Sequence, residues 1–523
     1  MKMRNVLYLP VLAAALLGCG RAANEPSPEA VVAKLDRQAI DAHIWQTVKQ
    51  QDAVFDWNTA PTEVVWNALR QSDGVLSVGY KPAGWTAREA ENRLGSLDPR
   101  QGDWAAARQA VLDLVWEEEQ RANPDLRREE LVVFDETALP VLNLRVASLR
   151  TLERLRASAL VRYAEPMGYE PTVGLPGQGL GGGRTESSSG CGSNNEEFNL
   201  AEGIHFSTTS PNAKVSWNHS YHQIGSAWNQ STGAGIRVMV IDTGISPNQP
   251  AFGTGFNQGQ SAGRTIEKLV TLPRPTFLGI PTGPTETPND GCGHGTSMAG
   301  VLAAPRGTVG NAVGIAYNAN LVTVRASEDV FIDASREVRG VADAFVLAAN
   351  RPDIRVVSLS LGRITSSSQI ADAVRLAHSR GKLIFCAGGT SLGWTAGWFG
   401  VIFPATMSEV QAVTGVKENL NRCDACHDGS QIDFTVVMER NSDGIKPITT
   451  ANQGNWPSTV GGSSVATAQV AGIAALVWAK YPGESRQQVL DRLILASSNY
   501  PSRSSQFGWG LIDASQATDD GSL

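Results

Sequence analysis

Four runs in the second half of the chain, Ile236–Ile241, Leu321–Val324, Val356–Leu361 and Leu383–Cys386, are mainly apolar and rich in β-formers. A strand of that kind has no polar face to offer water, so it must be covered on both sides, as the strands of helix-clad parallel sheets are. Helical patterns such as Val338–Ala349 separate the runs. The alternation predicts a mostly parallel sheet with helices on both faces, an α/β domain over residues 196–518. Upstream, residues 171–195 are Gly/Ser-rich and too poor in apolar side chains to pack, which marks a linker. No internal repeat of solenoid period interrupts this plan.

A smaller unit precedes the linker, within residues 35–170. Val75–Tyr80 is extended, and a helix opens at Asp103 with Val111, Leu112, Val115 and Trp116 on one side. Leu131–Phe134 and Val141–Val146 read as strands, Ser148 caps a short helix carrying Leu149, Leu152 and Leu155, and Leu160–Ala164 extends again. Strand, helix, strand, strand, helix, strand is the split βαβ order of a small α+β ferredoxin-like sandwich, which by itself names no function. Residues 19–34 are polar with two prolines and suit a tether. At the start, Lys2 and Arg4 precede the apolar run Val6–Leu17, too short to span a bilayer but long enough for a signal-peptide core, so residues 1–18 read as an export signal. Leu16-Leu17-Gly18-Cys19 resembles a bacterial lipoprotein cleavage box. That resemblance implies lipidation of Cys19 and an anchor at the cell envelope, with Gly20 rather than Asp directing it to an outer membrane where the host has one; ordinary signal cleavage and secretion is the other outcome.

Composition narrows the function. Hydrophobic residues make up 42% and charged residues 18% of 523, enough for a large core and too little charge for a disordered chain. A net charge of −7 without a concentrated basic surface excludes nucleic acid as an expected partner.

Three motifs stand in the order acid, imidazole, hydroxyl. Val240-Ile241-Asp242-Thr243-Gly244 puts a carboxylate at the end of a buried strand, where it can orient a histidine or simply cap the core. Asp290-Gly291-Cys292-Gly293-His294-Gly295-Thr296 flanks His294 with glycines that permit close backbone approach. Gly462-Ser463-Ser464-Val465-Ala466 leads into the apolar helix Val470–Ala479 and places a serine hydroxyl and its own N–H at a helix N-terminus, where negative charge is favoured. Taken together, these motifs resemble the subtilisin-like serine proteases, from about Ala227-Trp228 to Gly508–Asp513. The 75–166 unit, ending Arg162-Tyr163-Ala164-Glu165-Pro166, looks like the inhibitory propeptide that precedes many members and chaperones their folding.

The resemblance implies that Ser464 is the nucleophile, His294 the general base and then acid, and Asp242 the partner that orients the imidazole. It implies that Ser360-Leu361-Gly362 is the strand edge on which an extended polypeptide substrate pairs, with Ala387-Gly388 as the opposite wall of the primary pocket. Trp394 and Trp398 stand near that pocket and suggest a bulky apolar lining. The family reads Ala-Gly-Asn at the second wall, with the Asn donating to the oxyanion; here it is Ala387-Gly388-Gly389-Thr390. In subtilisin, loss of that donor costs about 10² to 10³ in kcat without abolishing catalysis; the Ser464 N–H remains, and Thr390, Ser391 or a water are the candidates to stand in for the amide. No cofactor is required; calcium stays open but is not supported by the loop Pro305–Gly310, which lacks the Asn-rich run that binds it in some members and leaves only backbone carbonyls as the main oxygen donors.

Beyond Cys19, five cysteines remain. Export predicts up to two disulfides and one free thiol, with Cys386 on a buried strand the free one. Cys423-Asp424-Ala425-Cys426-His427 matches a haem-attachment spacing but has no haem-sized apolar segment near it, and a surface-like insertion clipped by a disulfide or by a metal is the expectation. The expected function is an exported serine endopeptidase made as a zymogen with its propeptide in cis; the competing reading, from Gly389, is a weak or pseudo-protease that serves as a binding scaffold.

Overall fold

The computed structural model describes residues 34–136, 138–172, 191–192, 194–277, 280–391, 398, 400–521. The signal sequence, Cys19, nearly all of the tether, most of the 171–195 linker and Trp394 lie outside the described residues.

The unit ahead of the linker has β1 (Val75–Tyr80), α1 (Gly102–Ala122), β2 (Val132–Phe134), β3 (Val141–Arg145), α2 (Leu149–Ala157) and β4 (Val161–Pro166). Its antiparallel sheet has the order β2-β3-β1-β4, with Leu76 opposite Leu144 and Val78 opposite Ala164. Two helices precede β1, Arg37–Gln51 and Thr62–Gln71. Ile40, Ile44 and Val48 recur every four residues on the first and are fully buried, and Asp36 caps it by accepting from Ala39 N–H.

The larger unit has β5 (Arg237–Asp242), β6 (Ile266–Val270), α3 (His294–Ala303), β7 (Asn320–Arg325), α4 (Ser335–Asn350), β8 (Ile354–Leu359), α5 (Ser368–Ser379), β9 (Leu383–Ala387), β10 (Gln411–Lys417), β11 (Ile432–Glu439) and α6 (Gly462–Lys480). Seven strands run parallel in the order β11-β10-β9-β8-β5-β7-β6. Period-two alternation divides each strand between two cores. Val238 and Val240 join the core that holds α3 and α6, while Met239 and Ile241 join the one that holds α4 and α5. Helix α6 is long and apolar enough to cross a membrane, but nearly all of it is buried, as the central helix of a packed domain must be. The fold is the expected mostly parallel α/β architecture.

The sheet of the smaller unit lies on α4 and α5, and Val75, Val141, Tyr163 and Met167 enter their core. Polar contacts fix this docking. Arg162 and Asp372 form a bidentate ion pair at 2.5 and 3.1 Å with both side chains 1% exposed. Glu165 sits at the N-terminus of α5 and accepts from Ser368 N–H at 2.5 Å and Ser368 Oγ–H at 3.1 Å. Further on, the buried Glu170 accepts from Arg363 Nε at 2.7 Å and from the amides of Ile364 and Thr365.

Candidate active site

Asp242 is the last residue of β5 and His294 the first of α3, so strand end and helix start bring acid and ring together. Asp242 Oδ1 lies 2.8 Å from His294 Nδ1 and also accepts from Thr243 N–H at 2.8 Å. Both side chains are almost wholly buried. Burial pulls the His294 pKa down, yet the charge and hydrogen bond of Asp242, helped by Asp290 and Asp329, more than offset it, so the net shift is upward. The approach of α3 to β5 is close: a Cβ on Gly295 would stand 2.3 Å from the Gly244 carbonyl, so only glycine fits. Asp290, to which the motif alone gave no role, builds the turn. It accepts from the amides of Cys292, Gly293 and Thr296, and from the hydroxyls of Thr243 and Thr296. Its place four residues before a histidine that opens a helix was the available signal. The Cys191–Cys292 disulfide fixes the same turn from outside.

Ser464 is the third residue of α6, half-buried, with Oγ 3.5 Å from the Ser360 carbonyl, while Ser360 Oγ donates to the Ser464 carbonyl at 3.0 Å. Of the expected substrate edge, Leu361 is buried and Gly362 is already paired: its N–H donates to Val330 O at 3.2 Å and its carbonyl accepts from Ile332 N–H at 3.1 Å. On the opposite wall Ala387 ends β9, and Gly388 bonds to Val413 O and Ile402 N–H. Trp398 does not stand free beside this pocket; it is buried and donates to Asp52 Oδ1 at 3.0 Å.

Gly389 takes φ +129°, and its N–H donates to Ser463 Oγ at 3.0 Å. A Cβ there would lie 2.4 Å from His427 Nδ1, so this wall has no room for the family's Asn. The Cys423–His427 segment is therefore not a surface insertion: Cys423, Cys426 and His427 are all buried, because the segment pairs with the 389–391 wall. Ser391 N–H donates to Ala425 O at 2.7 Å and His427 N–H to Gly389 O at 3.0 Å. Cys423 and Cys426 are disulfide-bonded, so neither sulfur is available to haem, and Cys386 is free and buried. In the 305–310 loop the Lys214 ammonium donates to the Gly310 carbonyl and Asn212 to that of Thr308. Among the described residues no cluster of His, Cys, Asp or Glu could hold a metal ion.

A parallel α/β sheet that holds a buried carboxylate–imidazole pair, with a serine at the head of its central helix, has the equipment of a serine-peptidase class. Comparison makes the assignment specific: residues 233–510, more than half of the chain, match the subtilase family model, and the chain belongs to the subtilase family of serine endopeptidases. It is similar to alkaline elastase YaB of Bacillus sp. (strain YaB), 31% identical over 55% of this chain and 65% of that protein. It is also similar to subtilisin Savinase of Lederbergia lenta, 30% identical over 58% of this chain and 98% of that protein. Among solved structures, the MycP3 protease from the type VII (ESX-3) secretion system aligns at TM-score 0.44 and 24% identity, over 60% of this chain and 90% of that one.

Proposed function

We propose that this chain is an exported serine endopeptidase made as a zymogen, in which Ser464 attacks the scissile carbonyl and forms an acyl-enzyme. The observation that carries the reading is the 2.8 Å contact between Asp242 Oδ1 and His294 Nδ1, which keeps that nitrogen protonated and leaves Nε2 as the base. His294 takes the Ser464 proton as Oγ bonds to carbon, then delivers it to the leaving amine; water repeats the sequence to free the acid. Asp242 stays ionised and stabilises the imidazolium. The Ser464 N–H, at the N-terminus of α6, faces the developing oxyanion.

The 35–170 unit acts in cis as propeptide. Its support is the docking on α4 and α5 through Arg162–Asp372 and Glu165, which braces the domain from the side opposite α3 and α6. Export with an acylated Cys19 rests on the N-terminal sequence alone. The test is labelling of purified protein with a fluorophosphonate, wild type beside Ser464→Ala, read by intact mass. Labelling and loss of the N-terminal mass in wild type only supports the reading. No labelling once the 35–170 unit has been removed refutes it and leaves the inactive scaffold.

A further inference from the structure

We infer that Thr390 supplies the oxyanion donor that the family takes from an asparagine, an inference that rests on the serine-endopeptidase reading above. The candidates around the site sort themselves by their partners. An asparagine side chain at 389 is barred by His427. The Ser391 hydroxyl is held 2.9 Å from His427 Nε2. Thr390 Oγ1 instead lies at the head of α6, 3.0 Å from Ser463 N and 3.0 Å from Ser463 Oγ, and so close to the backbone that a Cβ on Gly462 would stand 2.6 Å away.

The proton positions follow from counting donors and acceptors. Ser463 is 1% exposed, and its Oγ accepts from Gly389 N–H. Its own O–H needs an acceptor, because a buried donor without one costs about 1–3 kcal/mol, and the acceptor within reach is Thr390 Oγ1. Thr390 Oγ1 therefore accepts twice, from Ser463 O–H and from Ser463 N–H. Both its lone pairs are used, and its own O–H must point elsewhere. Successive amide nitrogens in a helix lie about 3 Å apart and their first-turn N–H groups aim the same way. Thr390 Oγ1 sits in front of Ser463 N–H, so an oxygen in front of the next amide, that of Ser464, lies about 3 Å from Thr390 Oγ1, within hydrogen-bond reach of its proton. The chain Gly389 N–H, Ser463 O–H, Thr390 O–H runs in one direction and polarises its last member, the group that would meet the negative oxygen.

The test is steady-state hydrolysis of a peptide p-nitroanilide by the processed enzyme and by Thr390→Val, Thr390→Ser and Ser463→Ala, with affinity for a peptidyl trifluoromethyl ketone, which forms a tetrahedral oxyanion on the serine. The inference expects Thr390→Val to lose about 10² to 10³ in kcat with KM within about threefold, and to lose ketone affinity by a similar factor. Thr390→Ser keeps the hydroxyl and stays within about tenfold of wild type, and Ser463→Ala also loses no more than about tenfold. Should the valine variant fail to fold, Thr390→Ala takes its place. A valine or alanine variant with kcat within threefold of wild type overturns the inference, as does a large loss in Ser463→Ala alone, which would make Ser463 the donor. Wild type that neither turns over substrate nor takes a fluorophosphonate overturns the endopeptidase reading instead.

Discussion

Replacing Arg162 with methionine tests the docking of the N-terminal unit where it is most concentrated. Arg162 Nη1 and Nη2 meet the two oxygens of Asp372, Nε donates to Tyr80 O and Nη2 to Pro140 O, so one guanidinium ties β1, the loop before β3 and α5 together. The methionine leaves the Asp372 carboxylate 1% exposed, with the Tyr163 hydroxyl at 3.1 Å and Arg375 at 3.5 Å as its remaining polar company. Stranding one member of a buried ion pair costs about 3–5 kcal/mol, and because Arg375 answers part of the charge, the loss belongs at about 3 kcal/mol, near two decades in the equilibrium. Urea unfolding of the Ser464→Ala chain, which lacks the proposed nucleophile, measures it. Adding Asp372→Leu removes the stranded charge and should restore most of the loss, giving a coupling of about 2 kcal/mol in a double-mutant cycle. A single-variant loss under about 1 kcal/mol, or a double variant as unstable as the sum of the two singles, refutes the reasoning.

The upward shift of His294 sets an acid limb. The neutral ring is the base, so kcat/KM should rise with pH through an apparent pKa above 6.5; Asp242→Asn removes the upward cause, leaves burial, and should move the limb to lower pH while kcat falls about 10⁴-fold. A limb below 6.5 in wild type contradicts this. Because Gly362 already pairs with Val330 and Ile332, substrate residues beyond the second before the scissile bond find no free backbone edge there, so lengthening a peptide substrate from two to four such residues should raise kcat/KM by less than about threefold. A gain of tens-fold would show that this pairing opens. Gly389→Asn, which on sequence grounds restores a missing donor, should instead lower both activity and thermal stability, since the new Cβ meets His427 at φ +129°. Higher kcat with an unchanged melting temperature would show that His427 gives way.

The sequence carried the parallel sheet because strands buried on both faces leave a local signature, and Val238, Met239, Val240 and Ile241 each fill one core or the other. The helix Arg37–Gln51 left a signal too, in Asp36 and the four-residue spacing of Ile40, Ile44 and Val48, that was outside the strand–helix pattern read for that unit. Other features are written in no local pattern. The burial of Cys423–His427 depends on backbone pairing with a wall more than thirty residues away, and the polar Asp424 and Asp428 around it read as surface. The occupied edge of Gly362 is likewise a pairing of main-chain groups, to which side-chain identity is nearly blind. Asp242 and His294 were legible because glycines and a strand end constrain them locally; Thr390 was one candidate beside Ser391 and water, and only its contacts with Ser463 set it apart.

The Cys191–Cys292 bond joins the end of the linker, just ahead of the α/β domain, to a position two residues ahead of the histidine. A proteolytic cut upstream of Cys191 frees everything before it; a cut between Cys191 and Cys292 leaves the two pieces on one covalent leash. Under the proposed zymogen reading, release is thus confined to one side of a single residue, and the amino terminus it would create is moored at the turn that carries His294. That mooring exists only where thiols oxidise, so a chain retained in a reducing compartment has the same sequence but neither the leash nor the brace behind His294.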